Sequence, residues 1–158
     1  MPSTLGQLKT NELLVTYLED GPIDGWPVVL AHGFPYDVHA FDDVVPLLVE
    51  RAARVIRPFL RGYGPTAFLS PATMRSGQQA ALGQDLIEVL SRLGIEGAIV
   101  AGFDWGGLAC CAAALWPDKI ADPSGPSWRT WTGSSMRRHG AIWCDSRSLS
   151  FRSSSFPS

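Results

Sequence analysis

Apolar residues fall along this chain in two alternating patterns. Short runs such as Pro27-Val28-Val29-Leu30-Ala31 and Ala98-Ile99-Val100-Ala101 are continuous, as expected of strands buried on both faces. Ala53 to Pro58 is a third short strand. Residues 11–20 alternate in part and form a further strand, closing a hairpin with residues near Leu5 to Lys9. Between these runs the apolar spacing becomes helical. Phe41, Val44, Val45, Leu48 and Val49 mark a helix from about Asp43, with Pro46 in its first turn. Ala80, Leu82, Leu86, Ile87, Leu90 and Leu93 mark a longer helix over 76–93, with Ser76 as N-cap and Gly94 as C-terminal stop. A third helix, rich in small residues, runs over 108–115. Strands alternating with helices predict an α/β fold with a mostly parallel sheet flanked by helices.

The pattern stops near Ala121. Residues 1–121 hold 13 of the 15 acidic and 8 of the 13 basic residues, whereas residues 122–158 carry a net charge of +3 and contain 11 serines. Neither helical nor strand periodicity survives there. Two domains are therefore expected: a partial α/β core over 1–121 and an irregular or disordered tail over 122–158. Arg, Ser, Trp, Pro and Gly with few aliphatics is the composition of an out-of-frame stretch, and the tail is expected to carry no evolved fold. The alternative is a basic aromatic arm, with Trp128, Trp131 and Trp143, that binds a partner. His139 and Asp145 lie in this tail and are not cast as catalytic.

Composition excludes several classes. The net charge of −2 gives no reason to expect a nucleic acid or an anionic membrane as partner. Cys110, Cys111 and Cys144 form no disulfide framework and no metal-ligand spacing, so neither cofactor nor metal is expected. No apolar run approaches about 18 residues, and the expectation is a soluble cytoplasmic protein. The glycine loop Arg61-Gly62-Tyr63-Gly64-Pro65-Thr66 lacks the phosphate-cradle spacing.

The chemistry centres on Gly102-Phe103-Asp104-Trp105-Gly106-Gly107. A strand, a sharp glycine turn and a helix are the setting of a nucleophile elbow, here with Asp104 in the reacting position. His32-Gly33-Phe34-Pro35 follows a different strand. Sites in such sheets lie beyond the C-terminal ends of the strands, which places both motifs together.

HGFP at 32–35, RGYGPT at 61–66, QQAALG at 78–83 and GFDWGG at 102–107 together resemble the α/β-hydrolase superfamily. Within it they are most similar to the epoxide hydrolase and haloalkane dehalogenase branch, over about residues 10–121. The resemblance implies that Asp104 is a catalytic nucleophile forming an alkyl ester with a small apolar electrophile such as an epoxide. It implies an oxyanion hole made by the backbone N–H groups of Phe34 and Trp105. It makes His32 a structural residue. Phe34 stands where haloalkane dehalogenases often carry Asn, which favours epoxide chemistry over the dehalogenase alternative. The family also uses a late carboxylate, a late histidine and two cap tyrosines. Here Tyr17, Tyr36 and Tyr63 all precede Asp104, and no credible histidine base follows it. The chain is therefore expected to be an incomplete, inactive fragment, with Ala98–Ala101 left as an apolar sheet edge and with marginal stability.

Overall fold

A computed structural model describes residues 3–115. The elements in order are β1 (Thr4–Lys9), β2 (Leu13–Asp20), β3 (Trp26–Ala31), α1 (Val45–Val49), β4 (Ala53–Pro58), β5 (Ala67–Phe68), α2 (Gln79–Arg92), β6 (Ile99–Gly102) and α3 (Trp105–Ala113). The main sheet runs β1-β2-β4-β3-β6, and β5 adds a short pairing to β2. β3 pairs in parallel with β4 on one side and β6 on the other, while β2 is antiparallel to β1, β4 and β5. The sheet is thus mixed: β4, β3 and β6 are parallel and the hairpin end is antiparallel.

The continuous apolar runs have the expected cause. In β3, Val29 and Ala31 face one layer, with Ile56 of β4 and with Leu82, Leu86 and Leu90 of α2 and Ala109, Cys110 and Ala113 of α3. Val28 and Leu30 face the other, with Val55 of β4 and Val45 of α1. Alternate residues of one strand serve two cores, so no polar position is left in the run. α2 and α3 approach so closely at Gly83 that a Cβ there would lie 2.5 Å from Ala112 Cβ.

Three expected boundaries move. The helix expected from Asp43 is a 3-10 turn over Val38–Phe41 followed by the five-residue α1, with Pro46 in its first turn. The proline has no N–H to continue a longer helix through that point. α2 begins at Gln79 rather than Ser76, and Gln78 takes the N-cap position. Ser76 does not cap it: its Oγ accepts from Gln78 N–H at 3.2 Å, and its carbonyl accepts from Arg61 Nη1 at 3.0 Å, which holds residues 76–78 in a turn. α3 begins at Trp105, three residues before the expected start, immediately after the glycine turn. Gly94, at φ +65°, ends α2 as expected.

Among the described residues β6 pairs only with β3, and its Ile99, Val100 and Ala101 are half-buried. That is the apolar edge anticipated from the sequence. The tail expected over 122–158, with its histidine and acids, lies outside the described residues, as do Trp116 to Ala121.

Candidate functional site

The site follows from one register. β3 and β6 run parallel with Ala31 opposite Gly102, so both chains leave the sheet at the same level and on the same side. His32-Gly33-Phe34 therefore meets Phe103-Asp104-Trp105. The turn at Asp104 is sharp: this non-glycine residue sits at φ +51°, ψ −122°. Such a conformation costs about 1–3 kcal/mol and persists only where the surroundings impose it. Two glycines make it possible. A Cβ at Gly106 would collide with the carbonyl of Ala31, and one at Gly33 would lie 2.5 Å from Asp104 Cβ. The elbow can pack against β3 only because both positions are bare.

Asp104 is exposed, and its Oδ1 accepts from Phe34 N–H at 2.9 Å. The N–H groups of Trp105 and Phe34, in that order of importance, hold its carboxyl below the ordinary carboxylate range. Asp104 is thus an anion at neutral pH, with two backbone donors directed at it. Its side chain makes no capping hydrogen bond to α3.

His32 is fully buried, and its Nε2 accepts from Leu60 N–H at 3.1 Å. Its ring stands edge-on to Tyr63, with centroids 4.7 Å apart. Burial pushes its pKa down, so it is a neutral ring fastening the loop after β3 to the loop after β4. This is the structural part expected of it. His39 is exposed and bonded through Nδ1 to Asp42 at 3.0 Å. Cys110 is buried in the core between α2 and α3, and Cys111 is half-buried.

The glycine loop 61–66 is anchored by Arg61. Its Nε and Nη2 make a two-pronged bond to Asp85 of α2, at 2.6 and 2.7 Å. The Arg61 guanidinium is committed to a buried carboxylate. Around Asp104 the structure adds aromatic rings whose grouping periodicity could not reveal. Tyr36 meets Phe103 edge-on at 6.0 Å, and Phe41 lies 5.7 Å from Phe103. Phe34 and Trp105 are exposed beside them. A cavity of about 270 Å³ opens against Trp105, bounded by Leu60, Tyr63, Phe68, Leu82 and Arg75. Among the described residues no group of three or more His, Cys, Asp or Glu is placed to hold a metal ion, and no helix is long and apolar enough to cross a membrane.

Residues 27–122 match the model of the alpha/beta hydrolase fold family, and the chain belongs to that family. Within it, the chain is similar to epoxide hydrolases and to a haloalkane dehalogenase. It is 31% identical over 113 residues to Epoxide hydrolase A of Mycobacterium tuberculosis, covering 71% of this chain and 34% of that protein. It is 34% identical over 112 residues to a haloalkane dehalogenase of Psychrobacter cryohalolentis, covering 70% of this chain and 36% of that protein. A solved structure of a candidate epoxide hydrolase from Klebsiella pneumoniae superposes with a TM-score of 0.71 at 44% identity, over 73% of this chain and 39% of that one. The chain thus spans about a third of the length of these curated relatives.

Proposed function

We propose that this chain carries the nucleophilic half of an epoxide hydrolase, with Asp104 as the attacking group. The observation that carries the reading is the Phe34 N–H on Asp104 Oδ1, at 2.9 Å, across a strained turn that leaves the carboxylate exposed. A carboxylate so held is oriented by the backbone through Oδ1 and stays open to solvent. A lone pair on Oδ2 attacks a ring carbon of the epoxide, and the C–O ring bond breaks. Its electrons stay on the ring oxygen, which takes a proton from water. The product is an alkyl ester of Asp104. Oδ1 then becomes the ester carbonyl oxygen, already bonded to the Phe34 N–H, with the Trp105 N–H also directed at the carboxyl group. When hydroxide or activated water adds to that carbonyl, the same two donors meet the developing oxyanion without reorganising. Loss of one such donor typically costs on the order of 100- to 1,000-fold in rate.

The second step needs a base. Among the described histidines, His32 is buried against Leu60 and His39 is paired with Asp42. We therefore assign the described residues the alkylation step alone. An apolar electrophile is the substrate class, and no cofactor is invoked.

The experiment is single-turnover alkylation. The full chain is incubated with styrene oxide or with a primary alkyl bromide, digested, and analysed by mass spectrometry. The expected result is one equivalent of adduct on the peptide containing Asp104 with the epoxide, little halide release, and no adduct in Asp104→Asn. Steady diol formation over many turnovers would remove the restriction to the first step. Equal modification of wild type and Asp104→Asn would remove the nucleophile assignment.

A further inference from the structure

We infer that the cavity beside Trp105 is a subsite for an anionic group, and that the electrophile taken by Asp104 is an apolar molecule ending in a carboxylate. The assignment deepens the reading of Asp104 given above and rests on it, because Trp105 joins the cavity to that residue in sequence and space.

The walls of the cavity are apolar: Leu60, Tyr63, Phe68, Leu82 and the indole of Trp105. Two arginines line it, and they differ in what they have left to give. Arg61 is spent. Its side chain is 6% exposed, its Nε and Nη2 bind Asp85, and Nη2 also reaches Glu12 at 3.4 Å. Its charge is more than balanced by these two carboxylates. Arg75 is exposed, and its guanidinium lies over the Phe68 ring, 3.9 Å from the centroid. Its Nη1 donates to the carbonyls of Ser70 at 3.3 Å and Thr73 at 2.8 Å. No carboxylate among the described residues pairs with it, and no bond engages its Nε or Nη2. The stacking and the two carbonyl bonds fix the plane of the fork while leaving one edge open. A planar fork held in this way suits a carboxylate, which accepts two parallel N–H bonds. The stacking also retains the positive charge at the cavity rim at little entropic cost.

A ligand that places an aryl or alkyl body on the apolar wall and a carboxylate at Arg75 would present its other end at Trp105, beside Asp104. The same charge works against an anion bound head first: the Asp104 carboxylate repels it, and Arg75 attracts it to the far end. The device therefore orients as well as binds.

The test is equilibrium binding of an unreactive pair, 4-phenylbutyrate and 4-phenylbutanamide, to the full chain, followed by saturation-transfer NMR. The acid is expected to bind about three- to tenfold more tightly than the amide, the range of a partly exposed charge-assisted contact. Arg75→Gln should remove the difference, and Arg75→Lys, which keeps the charge but loses the stacked fork, should keep only part of it. Raising salt from 0.05 to about 0.5 M should shrink it, because the pair is exposed. Equal binding of acid and amide to wild type overturns the inference, as does a preference that survives in Arg75→Gln. Alkylation of Asp104 by styrene oxide is scored on the same sample. Alkylation without an acid preference rejects the subsite alone. An acid preference without alkylation supports the subsite and rejects the role given to Asp104.

Discussion

Removing the Asp85 carboxylate should destabilise the folded chain by about 3 kcal/mol, and burial is what sets that figure. Arg61 and Asp85 have side-chain exposures of 6% and 11%, and they share bonds of 2.6 and 2.7 Å. On a surface such a pair would contribute about 0–1 kcal/mol. Here Asp85→Ala leaves a guanidinium out of water with its principal partner gone, a situation that costs about 3–5 kcal/mol. Arg61 keeps the carbonyl of Ser76 at 3.0 Å and weaker bonds to Ala81 and Glu12 at 3.4 Å, which places the expected loss at the low end. The assay is urea unfolding of the full chain at neutral pH, with the loss taken at constant m. The double variant Arg61→Met, Asp85→Leu should recover to within about 1 kcal/mol of wild type, because two well-packed apolar groups replace a buried ion pair at little net cost. A loss below about 1 kcal/mol in Asp85→Ala would show that the pair is solvated and would refute the reasoning. A double variant no better than the single would show that the pair specifies the loop rather than merely surviving its burial.

Three further outcomes are expected. Gly106→Ala should abolish cooperative unfolding, because its Cβ meets the backbone of Ala31, and Gly33→Ala should both destabilise the elbow and cut Asp104 alkylation at least tenfold, because its Cβ meets Asp104 Cβ at 2.5 Å and the Phe103 carbonyl at 2.7 Å; urea unfolding and adduct yield measure the two effects. Because burial depresses the His32 pKa, the unfolded chain binds a proton below about pH 6.5 that the folded chain refuses, so stability holds above that value and falls on acidification by up to about 1.4 kcal/mol per pH unit; urea midpoints at pH 7.5, 6.5 and 5.5 measure it, and a flat profile in His32→Asn assigns it. Because the Trp105 and Phe34 N–H groups hold the Asp104 carboxyl down, the alkylation rate should stay level from pH 8 to 5 and decline only below the ordinary aspartate value of about 3.9; a decline centred near pH 6 would point to a different reacting group.

The strands were legible because their pattern is set by two cores at once: Val28, Val29, Leu30 and Ala31 are all apolar since each face of β3 is covered. The pairing of HGFP with Asp104 was legible for a related reason, as parallel neighbours end on one side. Helix starts were less so. Ser76 has the right side chain for an N-cap, but Arg61, fifteen residues earlier, takes its carbonyl and delays α2 to Gln79. That is a tertiary contact overriding a local preference, invisible to periodicity. Arg75 escaped notice because its meaning lies in what does not pair with it. A lone arginine in a loop of Pro, Ala, Thr and Met carries no pattern until Phe68 is found beneath it.

The geometry around Asp104 depends on few long-range parts. Its turn is fixed by β3 and β6 through a four-residue parallel ladder, Val28 to Ala31 against Ile99 to Gly102. Its carboxylate is held by Phe34, whose loop is fastened at His32 to Leu60 beyond β4. The three strands β4, β3 and β6 are adjacent, so Asp104, the Phe34 donor and the His32 fastening are one contiguous block. β6 is the least covered of them among the described residues, with Ile99 to Ala101 half-buried. The Asp104 side chain thus hangs from the strand with the fewest supports among the described residues. Local opening should begin there, and Phe103 N–H, bonded to Ala31 at 3.4 Å, should exchange its hydrogen far faster than Val29 N–H in the strand beside it. Equal protection at the two positions would mean that β6 is clamped from its other side as well, and the alkylation chemistry would then rest on a more rigid frame than these contacts provide.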